Sequence, residues 1–122
     1  MYRIGIASTD QIVVNQHFGR TDRFYIFEAA DNKTFNKTGY IDVTPVCDRG
    51  EHNDIQMSEN IAKLKQLDCL IVSKVGIRAQ QILEQNGISV FEMPGIIQDS
   101  IEKVIGFIQV QKLLDNYRKE GN

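Results

Sequence analysis

Cys69-Leu70-Ile71-Val72, a run from Ile77 to Asn86 closed by Gly87, and then Ile88-Ser89-Val90-Phe91 form the stretch that decides the fold. The first apolar run is too short for a helix, and both read as buried strands bounded by turn formers. Between them Ile82 and Leu83 face inward on a helix that Gly87 stops. A helix linking two short apolar strands is a crossover connection, so the strands pair in parallel with a right-handed link.

Working outward, Met57, Ile61 and Leu64 recur at helical spacing and predict a helix from Asp54 to Leu67. Past Met93-Pro94-Gly95, the positions Ile97, Ile101, Val104, Ile105 and Ile108 share one helix face. The second half therefore reads α-β-α-β-α. The first half reads as a meander. Tyr2 to Ala7 is an apolar strand ended by Ser8-Thr9-Asp10, and Ile12-Val13-Val14 is a short extended piece. Phe24 to Phe27 and Lys37 to Val43 are two strands joined across Asp31-Asn32-Lys33 as an antiparallel hairpin. Together they predict one α/β domain over residues 1–122, with a mixed sheet of about five strands and flanking helices. The strand from Tyr2 to Ala7 is expected inside the sheet, because its apolar run is unbroken. The polar tail from Asn116 to Asn122 is expected to fray.

Bulk properties exclude several classes. The chain has 122 residues, 42% hydrophobic and 25% charged, with net charge −2, the profile of an ordinary globular domain without a nucleic-acid footprint. No apolar run approaches the roughly 20 residues of a membrane span, and the N-terminus is too short and strand-like for a signal peptide. Cys47 and Cys69 are too few for a disulfide framework, so a reducing, cytoplasmic setting is expected.

In parallel α/β sheets ligands gather beyond the carboxyl ends of the strands. Two loops qualify. In Gln16-His17-Phe18-Gly19-Arg20, a histidine sits on a glycine turn with Arg20 and Arg23 close by. Val46-Cys47-Asp48-Arg49-Gly50-Glu51-His52 holds the other histidine and the loop cysteine. Thiolate and imidazole are the ligands of zinc and of iron–sulfur centres. There is no Cys-x-x-Cys, so His17, Cys47 and His52 make at most three ligands. Such a set suits a cluster that brings most of its own coordination and is handed on. The plainer readings stay open: His17 pinning its turn, Cys47 as a loop thiol, His52 and the arginines as solvated charge. Cys69, in an apolar strand, reads as a buried core residue.

The His-Phe-Gly turn followed by Phe24-Tyr25-Ile26-Phe27-Glu28 resembles the opening signature of the dinitrogenase iron–molybdenum cofactor biosynthesis family. Leu67-Asp68-Cys69-Leu70-Ile71-Val72-Ser73-Lys74-Val75-Gly76 and Leu83-Glu84-Gln85-Asn86-Gly87-Ile88 are similar to later blocks of that family. The family includes small nitrogenase accessory proteins that carry the cofactor or its precursor, and the C-terminal domain of the radical-SAM protein that builds the precursor. The resemblance implies a ribonuclease-H-like, three-layer arrangement of three antiparallel and two parallel strands. It implies His17 as a cluster ligand and Cys47 as a matching loop cysteine. The cysteine triad of a radical-SAM domain and the extra N-terminal domain of some carriers are missing, so precursor synthesis is not expected.

The leading expectation is a non-catalytic carrier of an iron–sulfur or iron–molybdenum cluster, an accessory of nitrogen fixation or a related role. Cluster-assembly proteins would be its partners, with neither nucleic acid nor membrane. His17 and Cys47 would ligate metal, with His52 as a further candidate. Arg20, Arg23 and Arg49 would offset the anionic charge of the cargo. One alternative is a metal-dependent nuclease-like enzyme, with Asp10 and Asp42 approaching each other. Another is a cofactor-free regulatory or scaffold module.

Overall fold

Strand β1 (Tyr2–Ala7) runs through the middle of the main sheet, where its apolar stretch from Ile4 to Ala7 is buried on both faces, while Arg3 near its start pairs with Glu28. The computed structural model describes residues 1–46 and 52–120. In chain order β1 is followed by β2 (Val13–Val14), β3 (Arg23–Ala29), β4 (Phe35–Asp42), α1 (His52–Leu64) and β5 (Cys69–Val72). Then come α2 (Ile77–Gln85), β6 (Ser89–Glu92), β7 (Gly95–Ile96) and α3 (Ile97–Glu120).

The five-stranded sheet has the order β4-β3-β1-β5-β6. β4, β3 and β1 are antiparallel neighbours, and β1, β5 and β6 run parallel. This is the predicted mixed sheet, with β1 at its centre. Side-chain alternation splits the core in two. Ile4, Ile6, Cys69 and Ile71 face α3 and meet Ile97, Ile101, Val104 and Ile105. Ala7, Phe24, Leu70 and Val72 face the other way and meet Met57, Ile61 and Leu64 of α1 and Leu83 of α2. Gly5 shares that second face at a close approach. A Cβ there would stand 2.7 Å from Leu70 Cδ2 and 2.8 Å from Leu67 Cδ1, so only glycine fits without repacking.

The ends of α2 follow its sequence. Gly87, at φ +81°, takes the left-handed position after the helix. Its N–H donates to the Glu84 carbonyl and that of Ile88 to the Leu83 carbonyl, with Leu83 and Ile88 both buried. The predicted hairpin also forms. Its turn is tied by Asp31, whose carboxylate accepts the N–H groups of Lys33 and Thr34 at 2.8 Å each.

The structure departs from the sequence reading in several places. The first helix, expected from Asp54 to Leu67, is His52–Leu64. The hairpin strands begin earlier than expected, and their register shifts between Ile26 and Phe27. The short extended piece at Ile12-Val13-Val14 finds a partner that the sequence reading did not assign, β7, and the two form a separate two-stranded ribbon. The polar tail does not fray at Asn116: α3 continues to Glu120, through good helix formers and with Arg118 and Lys119 at its negative end.

Candidate functional site

The carboxyl ends of β1 and β5 converge on the turn that holds His17. After β5 the chain runs straight into Ser73 and Lys74, and the segment around His17 pairs with it as a short parallel bridge, His17 to Lys74. The Ser73 N–H donates to the Gln16 carbonyl at 3.0 Å, and the Phe18 N–H donates to the Lys74 carbonyl at 2.9 Å. The His17 carbonyl accepts the N–H groups of Arg20 and Thr21, at 3.1 Å each, which closes the turn. Phe18 is buried under it, its ring 6.1 Å from that of Phe24. The bonds that hold this turn are backbone bonds and one buried aromatic anchor. The imidazole of His17 stays exposed.

The second loop arrives at the same edge. The Val43 N–H donates to the Asp22 carbonyl at 3.0 Å, and the Val46 N–H to the Gly19 carbonyl at 2.8 Å. Asn60, buried on α1, clamps the approach: its Oδ1 accepts the Thr44 N–H at 3.1 Å and its Nδ2 donates to the Thr44 carbonyl at 2.7 Å. Cys47 and Arg49 lie outside the described residues, and of His52 only its place at the start of α1 is described.

Beside the turn lies an open polar cavity of about 570 Å³, built from the exit of β1 (Ser8, Thr9), the turn (Gln16, Arg20, Thr21, Asp22), the start of β3 (Arg23, Tyr25) and Asp42. His17 is not among its lining residues, so the imidazole and the cavity flank the same turn. Arg20 is exposed and takes no part in the ion pairs among the described residues. Arg23 is committed otherwise. Its Nε donates to Asp42 Oδ1 at 2.6 Å, and its guanidinium lies 3.9 Å from the centre of the Tyr40 ring.

Two further residues belong to this edge and were not singled out as site candidates in the sequence. Lys74 is exposed and in register with His17, so the two side chains share a face. Asn60 positions the approach to the second loop. Its sequence signal is a polar residue on the inward stripe of α1, three positions after Met57. The N-terminus of α2 starts just beyond Lys74, with Gly76 as a cap that makes no side-chain bond to the first turn.

The acidic groups named for a nuclease reading are spent on structure. Asp10 accepts the N–H groups of Ile12 at 2.9 Å and Val13 at 3.0 Å. Asp42 is held by Arg23. Among the described residues no group of three or more His, Cys, Asp or Glu is placed to hold a metal ion.

These carboxylates contribute to the acid sensitivity of the fold. The Val13 and Ile12 amides hold Asp10 below its ordinary value, the Lys33 and Thr34 amides do the same for Asp31, and the Arg23 guanidinium for Asp42. A carboxylate depressed in the folded state adds stability that is present above its unfolded pKa, near 3.9, and lost as pH falls through the folded value. Denaturant midpoints are therefore expected to be flat from neutral pH to about 5 and to fall below about 4. Asp31→Asn is expected to make that fall shallower.

Cys69 is fully buried, and burial, with Asp68 next to it, pushes its thiol up to about 12. It is expected to resist thiol reagents in the native protein and to react at once in denaturant. Rapid labelling of Cys69 in the native state would contradict its place in the core.

A family model described as dinitrogenase iron-molybdenum cofactor matches residues 1–107. The FeMo cofactor biosynthesis protein NifB of Chlorobaculum tepidum is 26% identical over 98 residues, covering 80% of this chain and 22% of that protein. That of Frankia alni is 27% identical over 117 residues, covering 92% and 22%. The chain thus spans about a fifth of the length of these curated relatives. Among solved structures, the crystal structure of PH0822 is similar at a TM-score of 0.60 and 28% identity, covering 85% of this chain and 88% of the other. An NMR structure of a Thermotoga protein placed in the DUF35 family aligns at a TM-score of 0.52 and 24% identity, covering 84% and 85%.

Proposed function

The chain belongs to the dinitrogenase iron–molybdenum cofactor family, and from that premise we propose that it is a carrier that binds an iron–sulfur or iron–molybdenum cluster, or its precursor, as cargo in metallocluster biosynthesis. The observation that carries this reading is the exposed imidazole of His17 on a turn pinned from both sides by backbone bonds, at the carboxyl ends of β1 and β5. A ligand that must accept a bulky cluster and later release it needs an accessible donor on a rigid support.

In this reading His17 ligates metal through one ring nitrogen. Cys47 is the proposed second ligand on the chemistry of its thiolate, which suits iron–sulfur centres. His52 is a further candidate. The cargo is anionic, and Arg20, Lys74 and the N-terminus of α2 supply positive charge at this edge, offset in part by the Glu92 carboxylate, which accepts the Val75 N–H at 2.8 Å. Arg49 is proposed as a further cation for the cargo. Arg23 contributes less, since its charge is shared with Asp42. A carrier rather than an enzyme is favoured because Asp10 and Asp42, the acids a nuclease would need, are each engaged in structural bonds. Cluster-assembly proteins remain the proposed partners and the cytoplasm the proposed setting. The arrangement of three antiparallel and two parallel strands supports the ribonuclease-H-like label.

Anaerobic incubation of the chain with iron and sulfide, or with isolated cluster, followed by absorption spectra and metal analysis, tests the proposal. Stoichiometric uptake of a cluster with its charge-transfer bands is expected. A protein that emerges from gel filtration free of iron would contradict it.

A further inference from the structure

Helix α3 carries two apolar stripes, and only the first is covered along its length; of the second, Phe107 stands edge-on to Phe91 of β6, 5.8 Å between ring centres, and the residues beyond it extend past that contact. Ile97, Ile101, Val104 and Ile105 are buried against the sheet. At roughly 100° per residue, Phe107, Val110, Leu113, Leu114 and Tyr117 fall on the opposite side of the helix. They are exposed, from 43% for Leu114 to 75% for Tyr117. Every residue from Val110 to Lys119 is exposed, and beyond the contact of Lys112 with Tyr2 the last turns of α3 run past the domain. Helical segments of that length are marginal in water unless they pack on something. The match to the family ends at residue 107, where this second stripe begins.

The stripe has the geometry of a seam. Phe107, Val110, Leu114 and Tyr117 are spaced three, four and three apart, the a/d pattern by which two like helices interlock. Counting about 150–250 Å² for each aromatic side chain and less for the aliphatic ones, the stripe offers on the order of 500 Å² per chain. Two copies would then cover about 1,000 Å², the size at which a specific interface begins. A stripe that meets its own copy across a two-fold axis closes after two chains.

The overhang also points away from the cargo edge. Lys112 lies 4.7 Å from the centre of the ring of Tyr2, the first residue of β1. The helix therefore leaves the domain at the amino end of β1, opposite His17. We infer that the exposed stripe from Phe107 to Tyr117 is the seam of a homodimer, its occupant the same stripe of a second copy of this chain. The dimer holds two His17 edges outward and does not depend on what they bind.

Sedimentation equilibrium of the full chain from micromolar to millimolar concentration tests this. A reversible monomer–dimer equilibrium is expected for the native sequence. The double substitution Val110→Glu with Leu114→Glu should raise the midpoint by about tenfold or more, with thermal unfolding of the domain unchanged because both side chains are exposed. Ile55→Glu, an exposed apolar position on α1, should dimerise like the native chain. A native chain that stays monomeric throughout would overturn the inference and leave a different protein as the occupant. Dimers that persist in the double variant, or vanish in Ile55→Glu, would overturn it by placing the interface elsewhere.

Discussion

Phe18→Ala is expected to destabilise the fold by about 3–5 kcal/mol, a large share of the roughly 5–15 kcal/mol that holds a domain together. Phe18 is 3% exposed, packs near Phe24, and belongs to the core shared with α1 and α2. Its removal leaves a cavity directly beneath the His17 turn. The backbone bond from Phe18 to Lys74 remains chemically possible, but the side chain that seats it is gone. Thermal unfolding should move down by roughly 10–20 °C at this chain length, and cluster uptake should fall with it. A loss below about 1 kcal/mol would mean that the turn is held by its backbone alone.

His17→Ala should do the reverse. The imidazole is exposed, and the turn is closed by the His17 carbonyl, which alanine retains. Stability is expected to change by less than about 0.5 kcal/mol, as for other surface positions. Cluster affinity should fall about tenfold or more, equivalent to about 1.4 kcal/mol or more, because a metal bond is lost while Arg20 and Lys74 supply only unspecific attraction. Cys47→Ser should weaken binding as well, and the double variant should weaken it further. A variant that unfolds earlier yet binds the cluster normally would make His17 a turn residue and nothing more.

The strands were legible where burial leaves a continuous apolar run. β5 is of this kind, and with the apolar stretch of β1, the Val90-Phe91 pair of β6 and the helix stop at Gly87 it suffices for a parallel arrangement. The ribbon of β2 and β7 was not legible, because it has two residues a side and rests on backbone pairing, with Gly95 at φ +127°. The length of α3 was missed for a different reason. Its last turns carry polar residues among the apolar ones, and the apolar ones lie opposite the buried stripe, so no single face stands out.

At the site, the sequence marked His17 through its turn but gave no sign of what supports it. Ser73 and Lys74 lie more than fifty residues away and engage the turn through main-chain atoms, which carry no sequence signature. Arg23 looked like free positive charge because its partner Asp42 sits across a strand pair whose register only the folded chain defines.

The most direct measurement is pulsed electron paramagnetic resonance on the reduced, cluster-loaded chain with nitrogen-15 in its histidines. There are two histidines, His17 and His52, so the source of a coupling can be assigned by substitution. A histidine nitrogen coupling is expected in the native chain and in His52→Ala, and its loss in His17→Ala. A coupling that survives in His17→Ala, or is absent from the loaded native chain, would contradict ligation by His17.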